Sequence, residues 1–377
     1  METKSDFDVI IIGCGIAGAS LAYFLAERGM RDILILEREE QPGYHSTGRS
    51  AAVLVEFDII PSVLELKLLG ARFLRMPPAG FSENPLLRQS GVLVMSEDPL
   101  WGSVREIVQR LEKRDTAVKV LSKKEAVSLV PVLAPENFKG AVLLPEDGHL
   151  DVNELLWSYL RHAKRLGAQL RCSEEVQGIK VERGECCGVI TREGKYQSRW
   201  VVNAAGAWAE HIRNFMGPSP VQLTPHRRTI ITFAAPEGLN VEAWPFTADL
   251  SHALYFGPES GGLLASPMDE EPMAPCDARP DEMTVAQTVE RLKHLTPRLV
   301  PKFITHKWAG LRTFAPDQVM VVGEDPIVKR FFWLSGQGGS GIETSPAVGR
   351  IASDLIIDGH TKLMDVHPLS PTRFTEN

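Results

Sequence analysis

Apolar residues in this chain come in two arrangements, short unbroken runs and helical stripes, and their order predicts the fold. Residues 9–12 and 33–36 are unbroken apolar runs, the pattern of strands buried on both faces. Between them, residues 19–28 are mostly good helix formers, and Gly29 can stop the helix. Further stripes predict helices over 62–75, 101–114, 151–167, 284–295 and 344–357. Ser122 and Glu125 have capping-box spacing and open a short helix over 125–130, and Asp151 can cap the helix that follows it. Strands are expected at 91–95, 140–144, 169–172, 176–181 and 200–202, with a hairpin made by 188–191 and 196–198. A strand-rich stretch follows at 227–233, 253–256, 262–266 and 307–314, interrupted by an acidic, Pro-containing loop at 268–281. Strands 319–323 and 331–335 precede the last helix. Stretches that alternate strand and helix are thus interleaved with stretches of strands, which suggests an α/β domain of discontinuous sequence and a sheet-rich second domain.

Composition narrows the class. A chain of 377 residues suits two closely joined domains. A net charge of −7 with no Lys/Arg block argues against a nucleic-acid surface. The start, METKSDFDVIIIG, opens straight into a glycine motif and does not read as a signal peptide. No apolar run is long enough for a transmembrane helix. The cysteines, Cys14, Cys172, Cys186, Cys187 and Cys276, lack C-x-x-C metal spacing and read as free thiols of a cytoplasmic protein. Cys14 reads as a small buried residue. No metal site is expected, and peripheral association with a membrane is left open.

The first strand leads into Gly13, Cys14, Gly15, Ile16, Ala17 and Gly18, a G-x-G-x-x-G run. Gly13 permits the tight turn, Gly15 lets backbone approach a pyrophosphate, and Gly18 lets the helix pack on the sheet. The N–H groups and dipole of the helix start favour the phosphate charge. Glu37 ends the second strand, where a carboxylate can accept hydrogen bonds from both ribose hydroxyls. Strand, helix, strand and acid in this order predict a dinucleotide site.

The motif alone does not separate FAD from NAD. The segment after Glu37 is polar and rich in small residues, EREEQPGYHSTGRSAA, which suits wrapping a second phosphate and approaching a flat ring. That segment, with GIAGAS, VVNAAGAW, WAGLR and GQGGSGIETS, resembles the FAD-dependent D-amino-acid oxidase superfamily over almost the whole chain. Within that superfamily the chain resembles the bacterial D-arginine dehydrogenases, with the glycine and sarcosine oxidases as cousins. The resemblance implies a Rossmann-like FAD-binding domain made of residues 1–84, 145–218 and 318–377, and a substrate-binding domain made of 85–144 and 219–317. It implies cofactor contacts at Gly13, Gly15, Ile16, Ala17, Gly18, Glu37, Arg38, Ser46, Thr47, Arg49, Ser50, Ala51, Ala52, Val176, Ala205, Gly206, Trp208, Gly310, Gly336, Gly338, Gly339, Gly341 and Ile342. Sarcosine oxidases attach flavin to a cysteine near the chain end. No cysteine follows Cys276 here, so FAD is expected to be non-covalent.

For the substrate, the resemblance implies carboxylate binding by Arg312, Arg228 and Tyr255, and an amine contact at the Gly339 carbonyl. Arg suits a carboxylate because its planar fork binds both oxygens. Tyr255 reads equally as a core aromatic. His45 and His226 read as structural or flavin-side groups. The chain departs from the D-arginine dehydrogenases at Val53, Asp58, Val92 and Ser340. Val92 stands where they carry the acid that grips a guanidinium, so a neutral side chain is expected, unless Glu56 or Asp58 takes over. The expectation is therefore an enzyme that oxidises the Cα–N bond of a small-molecule amino acid by hydride transfer to FAD. A 2-hydroxy-acid dehydrogenase and an FAD-binding subunit of a larger oxidase assembly are the alternatives. The electron acceptor, oxygen, a quinone or another carrier, is left open.

Overall fold

The structure, a computed structural model, describes residues 3–114 and 116–375. Its architecture is mixed α/β, organised on two large sheets. The first sheet has eight strands. Thr3–Ile12 lies at its centre and pairs in parallel with Ile33–Leu36 on one side and Lys195–Asn203 on the other. Gln169–Arg171 extends it beyond Ile33–Leu36, and the antiparallel pair Val176–Glu182 and Glu185–Thr191 extends it on the other flank.

Lys195–Asn203 corrects one expectation. The hairpin strand and the central strand expected separately at 196–198 and 200–202 are one continuous strand. Its first half pairs with Glu185–Thr191, and its second half pairs in parallel with Phe331–Ser335. Val321–Glu324 closes that edge as the antiparallel neighbour of Phe331–Ser335.

The central strands are apolar on both faces because both faces are covered. Helices Ile16–Glu27, Val152–Arg165 and Gly341–Asp358 cover one face, where Val9, Ile11, Ile33 and Ile35 meet Leu21, Tyr159 and Ile351 in one core. The other face is closed by Ile10, Leu34, Val201, Val221 and Trp333. Asp151 caps its helix as expected, accepting from the Glu154 N–H at 2.8 Å. Ser122 and Glu125 form the capping box of Lys123–Leu129.

The second sheet has nine strands. Thr224–Ala234 pairs antiparallel with Gly262–Ser266 and, along almost its whole length, with Ile304–Phe314. The sheet continues through Leu254–Glu259, Phe246–Asp249 and Val92–Ser96 to Gly140–Leu144 and Lys119–Leu121. Phe246–Asp249 is a strand that the hydrophobic pattern does not single out. Val53–Leu54, Gly148–Leu150 and Leu87–Arg88 form a small three-stranded antiparallel sheet. Among the described residues no helix is long and apolar enough to cross a membrane.

Candidate functional site

A deep cavity opens where Thr3–Ile12 and Ile33–Leu36 end, the side on which open parallel sheets bind ligands. With its mouth it contains about 1240 Å³ of empty space.

Gly13 makes the turn off the first strand at φ +100°, and a Cβ there would meet the Ala204 carbonyl oxygen at 2.5 Å. Gly18 does not line the cavity. It presses on the Gly13 carbonyl, which an added Cβ would meet at 2.1 Å, so its contribution is the close helix–strand contact. Helix Ile16–Glu27 starts at the cavity with no acidic residue in its first turn. Its Ile16 N–H donates to Thr47 Oγ1 at 3.0 Å, and the dipole of this end favours an anion.

Glu37 is buried on the cavity wall and fixed twice by backbone. Its Oε2 accepts from the Cys14 N–H at 2.8 Å and its Oε1 accepts from the Glu39 N–H at 3.0 Å. Each oxygen retains a lone pair for a ligand. Burial, and then the Glu37 charge, pushes the Cys14 thiol well up, so it is an inert packing group. None of the five cysteines lines the cavity.

Of the residues expected at a cofactor, Gly13, Gly15, Ile16, Ala17, Glu37, Arg38, Ser46, Thr47, Ser50, Val176, Ala205, Gly206, Trp208, Gly338, Gly339, Gly341 and Ile342 line this one cavity. Arg38 stacks on the Trp208 ring, 4.1 Å from its centroid. His45 meets Glu39 at 2.8 Å through Nε2 and packs against Trp208. Others stand behind the wall. Arg49 turns its guanidinium away, to the carbonyls of Ala278 and Ala309 and to Asp277. Gly310 lies beneath Arg49. Ala51 packs with the Val92 core cluster, the Ala52 carbonyl accepts from the Leu150 N–H at 2.7 Å, and Gly336 packs on Leu223 and Val321. Wall residues that the motifs do not indicate are Glu174, Glu175 and His211, while Tyr44 lies inside the quoted EREEQPGYHSTGRSAA run. Leu311, Thr313 and Gln337 do lie inside quoted or adjoining motifs, and their neighbours were the available signal.

Arg312 sits between the two cofactor-facing loops. On one side Ser46 Oγ donates to the Leu311 carbonyl at 2.6 Å, and on the other the Gly338 N–H donates to the Thr313 carbonyl at 2.9 Å. The guanidinium is buried, reaches the cavity wall, and its Nε has no hydrogen-bond partner. Burial lowers its pKa, and the nearby charge of Arg228 lowers it further, while Tyr255 acts in the opposite direction. The acids of the adjacent loop are engaged elsewhere. Asp269 accepts from the Thr229 N–H at 2.6 Å and from Arg227, Glu271 pairs with Arg227, and Glu270 pairs with Arg228 at 2.8 Å. Arg228 also donates to the Asp269 carbonyl at 3.0 Å.

Arg228 and Tyr255 do not themselves line the cavity; they stand behind Arg312. Tyr255 is packed in the core on Phe246, at 5.2 Å between ring centroids, so it is a core aromatic as well as a neighbour of Arg312. His226 occupies the rung directly opposite Arg312 in the ladder, and its Nδ1 is buried without a partner. Gly339 is exposed at the cavity, and Ser340 begins the last helix.

Glu56 and Asp58, the two acids named as possible replacements for the missing guanidinium partner, already have ion-pair partners of their own. Glu56 is paired with Arg75, and Asp58 holds Lys67 at 2.9 Å, which also meets Glu343 at 3.1 Å. Both acids are thus engaged by internal cations, a partly buried Arg75 and a buried Lys67. Val92 is 0% exposed and belongs to the apolar cluster that contains Val94, Phe246 and Tyr255.

Comparison with known proteins agrees with this geometry. A family described as "DAO: FAD dependent oxidoreductase" matches residues 8–355. "FAD-dependent oxidoreductase domain-containing protein 1" of Mus musculus is 28% identical over 97% of this chain and 84% of its own length. Mitochondrial dimethylglycine dehydrogenase of Mus musculus is 24% identical over 99% of this chain, which spans only 45% of that protein. Among solved structures, L-proline dehydrogenase from P. horikoshii superposes with a TM-score of 0.87 over 98% of both chains at 23% identity, a likeness of fold.

Proposed function

Because the chain belongs to the DAO family of FAD dependent oxidoreductases, we propose that it oxidises the Cα–N bond of an amino acid with a neutral side chain, or of a secondary amine that carries a carboxylate. The residues fit FAD: a glycine turn, an open helix start, a buried ribose-side acid and a long cavity join in one place. We assign residues 1–84, 145–218 and 318–377 to the cofactor-binding domain, because every strand of the eight-stranded sheet falls within them. Residues 85–144 and 219–317 are assigned to the substrate-binding domain, because they contain the nine-stranded sheet. No cysteine lines the cavity, which supports FAD held without a bond to sulfur.

One observation carries the substrate class. Arg312 is a buried arginine that lines the cavity, its Nε has no partner, and among the described residues no acid forms an ion pair with it. A buried charge of this kind is costly until an anion completes it. A substrate carboxylate completes it through two parallel N–H···O bonds. The Gly339 carbonyl is assigned as the acceptor for the substrate amine, which the exposure of Gly339 on the cavity wall supports. FAD supplies the acceptor for the hydride that leaves Cα. The nitrogen lone pair becomes the C=N bond as that hydride leaves, and water hydrolyses the released iminium ion to a keto acid and ammonia, or an amine where the nitrogen is alkylated. The chain's own contribution is orientation and charge pairing, so no side-chain nucleophile is needed. Commitment of Glu56 and Asp58 to Arg75 and Lys67 favours neutral over cationic side chains. The relative named for dimethylglycine supports a carboxylate-bearing amine as the substrate class.

A second reading, oxidation of a 2-hydroxy acid, is favoured by His226. Alcohol oxidation needs a base, and this imidazole stands opposite Arg312 with an unpartnered Nδ1. Anaerobic mixing of the FAD-loaded protein with D- and L-amino acids, N-methylated amino acids and 2-hydroxy acids separates the two. Flavin bleaching by neutral amino or N-methyl amino acids supports the first reading. Bleaching by hydroxy acids alone replaces it with the second.

A further inference from the structure

Far from the glycine loops in sequence, the substrate-side sheet brings together Glu97, His252 and His294. One ligand atom from each lies within 4.8 Å of the others. They come from three elements: the end of Val92–Ser96, the turn after Phe246–Asp249, and the last turn of helix Glu282–Leu295. The geometry points to a binding site for a divalent transition-metal ion of the Zn²⁺ type at these three residues.

The strongest support is the state of His252. Its Nδ1 meets Asp249 Oδ2 at 2.7 Å, and Asp249 is completely buried. A carboxylate only accepts, so Nδ1 carries the proton and Nε2 is left with its lone pair. A histidine oriented by a carboxylate in this way is the usual arrangement around protein-bound metals. Asp249 is held in turn, since its Oδ1 accepts from the Ser251 and His252 N–H groups at 2.9 and 3.4 Å. The His294 ring lies 4.5 Å from that of His252 between centroids.

The three elements are also fixed to one another by bonds that do not involve the ligand atoms. The Glu97 N–H donates to Ser251 Oγ at 2.8 Å, and the Leu250 N–H donates to the Met95 carbonyl at 2.9 Å. Arg291, one turn before His294, donates to the Ala253 carbonyl at 2.8 Å. Two imidazole nitrogens and one carboxylate oxygen suit Zn²⁺, Co²⁺, Ni²⁺ or Cu²⁺ better than Ca²⁺ or Mg²⁺. Bonds of about 2.0–2.2 Å require the ligand atoms to draw in slightly, which side-chain rotation at the half-exposed rim supplies. Three protein ligands leave a fourth position for water or an outside group. The bound ion would clip the helix to the sheet.

The test uses the FAD-loaded protein, dialysed against Co²⁺ and separately Zn²⁺, with its visible spectrum recorded. One equivalent of Co²⁺ is expected, with d–d absorption and no thiolate-to-cobalt band. His294 is exposed, so His294→Ala folds, and it should weaken binding by more than the ten- to hundred-fold typical of losing an outer partner. Asp249→Asn should weaken binding by roughly ten- to hundred-fold. Zn²⁺ should raise the Tm of the wild type and not that of His294→Ala. Amine oxidation by metal-free His294→Ala should match that of the metal-free wild type, which keeps this outcome separate from the catalytic proposal. Absence of Co²⁺ binding, equal affinity in His294→Ala, or a thiolate band would overturn the assignment.

Discussion

Arg228 and Arg312 lie on paired strands, close enough for the first charge to lower the pKa of the second, yet only Arg228 has a carboxylate partner. Glu270 satisfies Arg228, and Asp269 is engaged by Arg227 and Thr229. Arg312, which has no ion pair among the described residues, is therefore the cation that lines the cavity, with Tyr255 and Asp269 only partly offsetting its burial. A folded chain tolerates such a group where binding repays the cost.

The first prediction concerns the side chain of the substrate. Neutral amino or N-methyl amino acids should have a higher kcat/KM than arginine or lysine of the same configuration. The acids nearest in sequence to the expected pocket, Glu56 and Asp58, already pair with Arg75 and Lys67. A second buried cation would go unpaired. Steady-state kinetics on a substrate panel measures this, and a panel led by arginine would contradict it.

Glu37 should matter to the cofactor more than to the fold. Glu37→Gln retains one carbonyl oxygen for the Cys14 N–H but loses the charge. Charge-assisted hydrogen bonds contribute about 1.5–3 kcal/mol, so the FAD dissociation constant should rise by roughly one to two decades. Fluorescence titration of the apoprotein with FAD reads the change. The same preparation, heated or acidified, should release its flavin. An unchanged constant would remove Glu37 from the ribose.

Asp325 gives a pH signature of stability. Its carboxylate is buried and accepts from Arg213 at 2.7 Å, the Val328 N–H at 2.9 Å and Trp333 Nε1 at 3.0 Å. Burial alone would raise its pKa, but the Arg213 bond and the backbone donors outweigh it and lower the value. A carboxyl with a lowered folded pKa stabilises above its unfolded value, about 3.9, and loses that contribution as pH falls through the folded value. Asp325→Asn should cost about 3–5 kcal/mol near neutrality, because it strands Arg213. The Tm gap between wild type and variant should narrow below about pH 4. A constant gap from pH 7 down to pH 3 would contradict this account.

Much of this fold is legible in the hydrophobic pattern, for a physical reason. Residues 33–36, 140–144, 262–266 and 331–335 are strands at those bounds because each is a buried apolar run between turn formers. Phe246–Asp249 is not legible. It is four residues long, follows Trp244-Pro245, and its Thr247 and Asp249 are polar yet wholly buried. Lys195–Asn203 reads as two strands because it changes partners midway, which is a property of its neighbours. The cofactor motifs are legible because glycine spacing reports backbone geometry. Arg49 and Arg312 both lie in recognisable motifs, but only the tertiary arrangement shows that one turns to Asp277 and the other to the cavity. Pairing of Glu56 and Asp58 with Arg75 and Lys67 is likewise a matter of which helix packs where.

The most direct measurement is the effect of Arg312→Met on substrate binding and on stability together. Removing one partner of a buried charge pair costs about 2–5 kcal/mol, so the apparent substrate affinity should fall by roughly one and a half to three and a half decades. FAD content should be retained, and Arg312→Lys should recover only part of the affinity, because a point charge cannot reproduce the fork. Without substrate, the Tm of Arg312→Met should equal or exceed that of the wild type, since an unpaired buried charge has been removed. Anaerobic flavin-bleaching titrations beside thermal melts give both numbers. Unchanged substrate affinity in Arg312→Met would contradict the account, whatever the melts show.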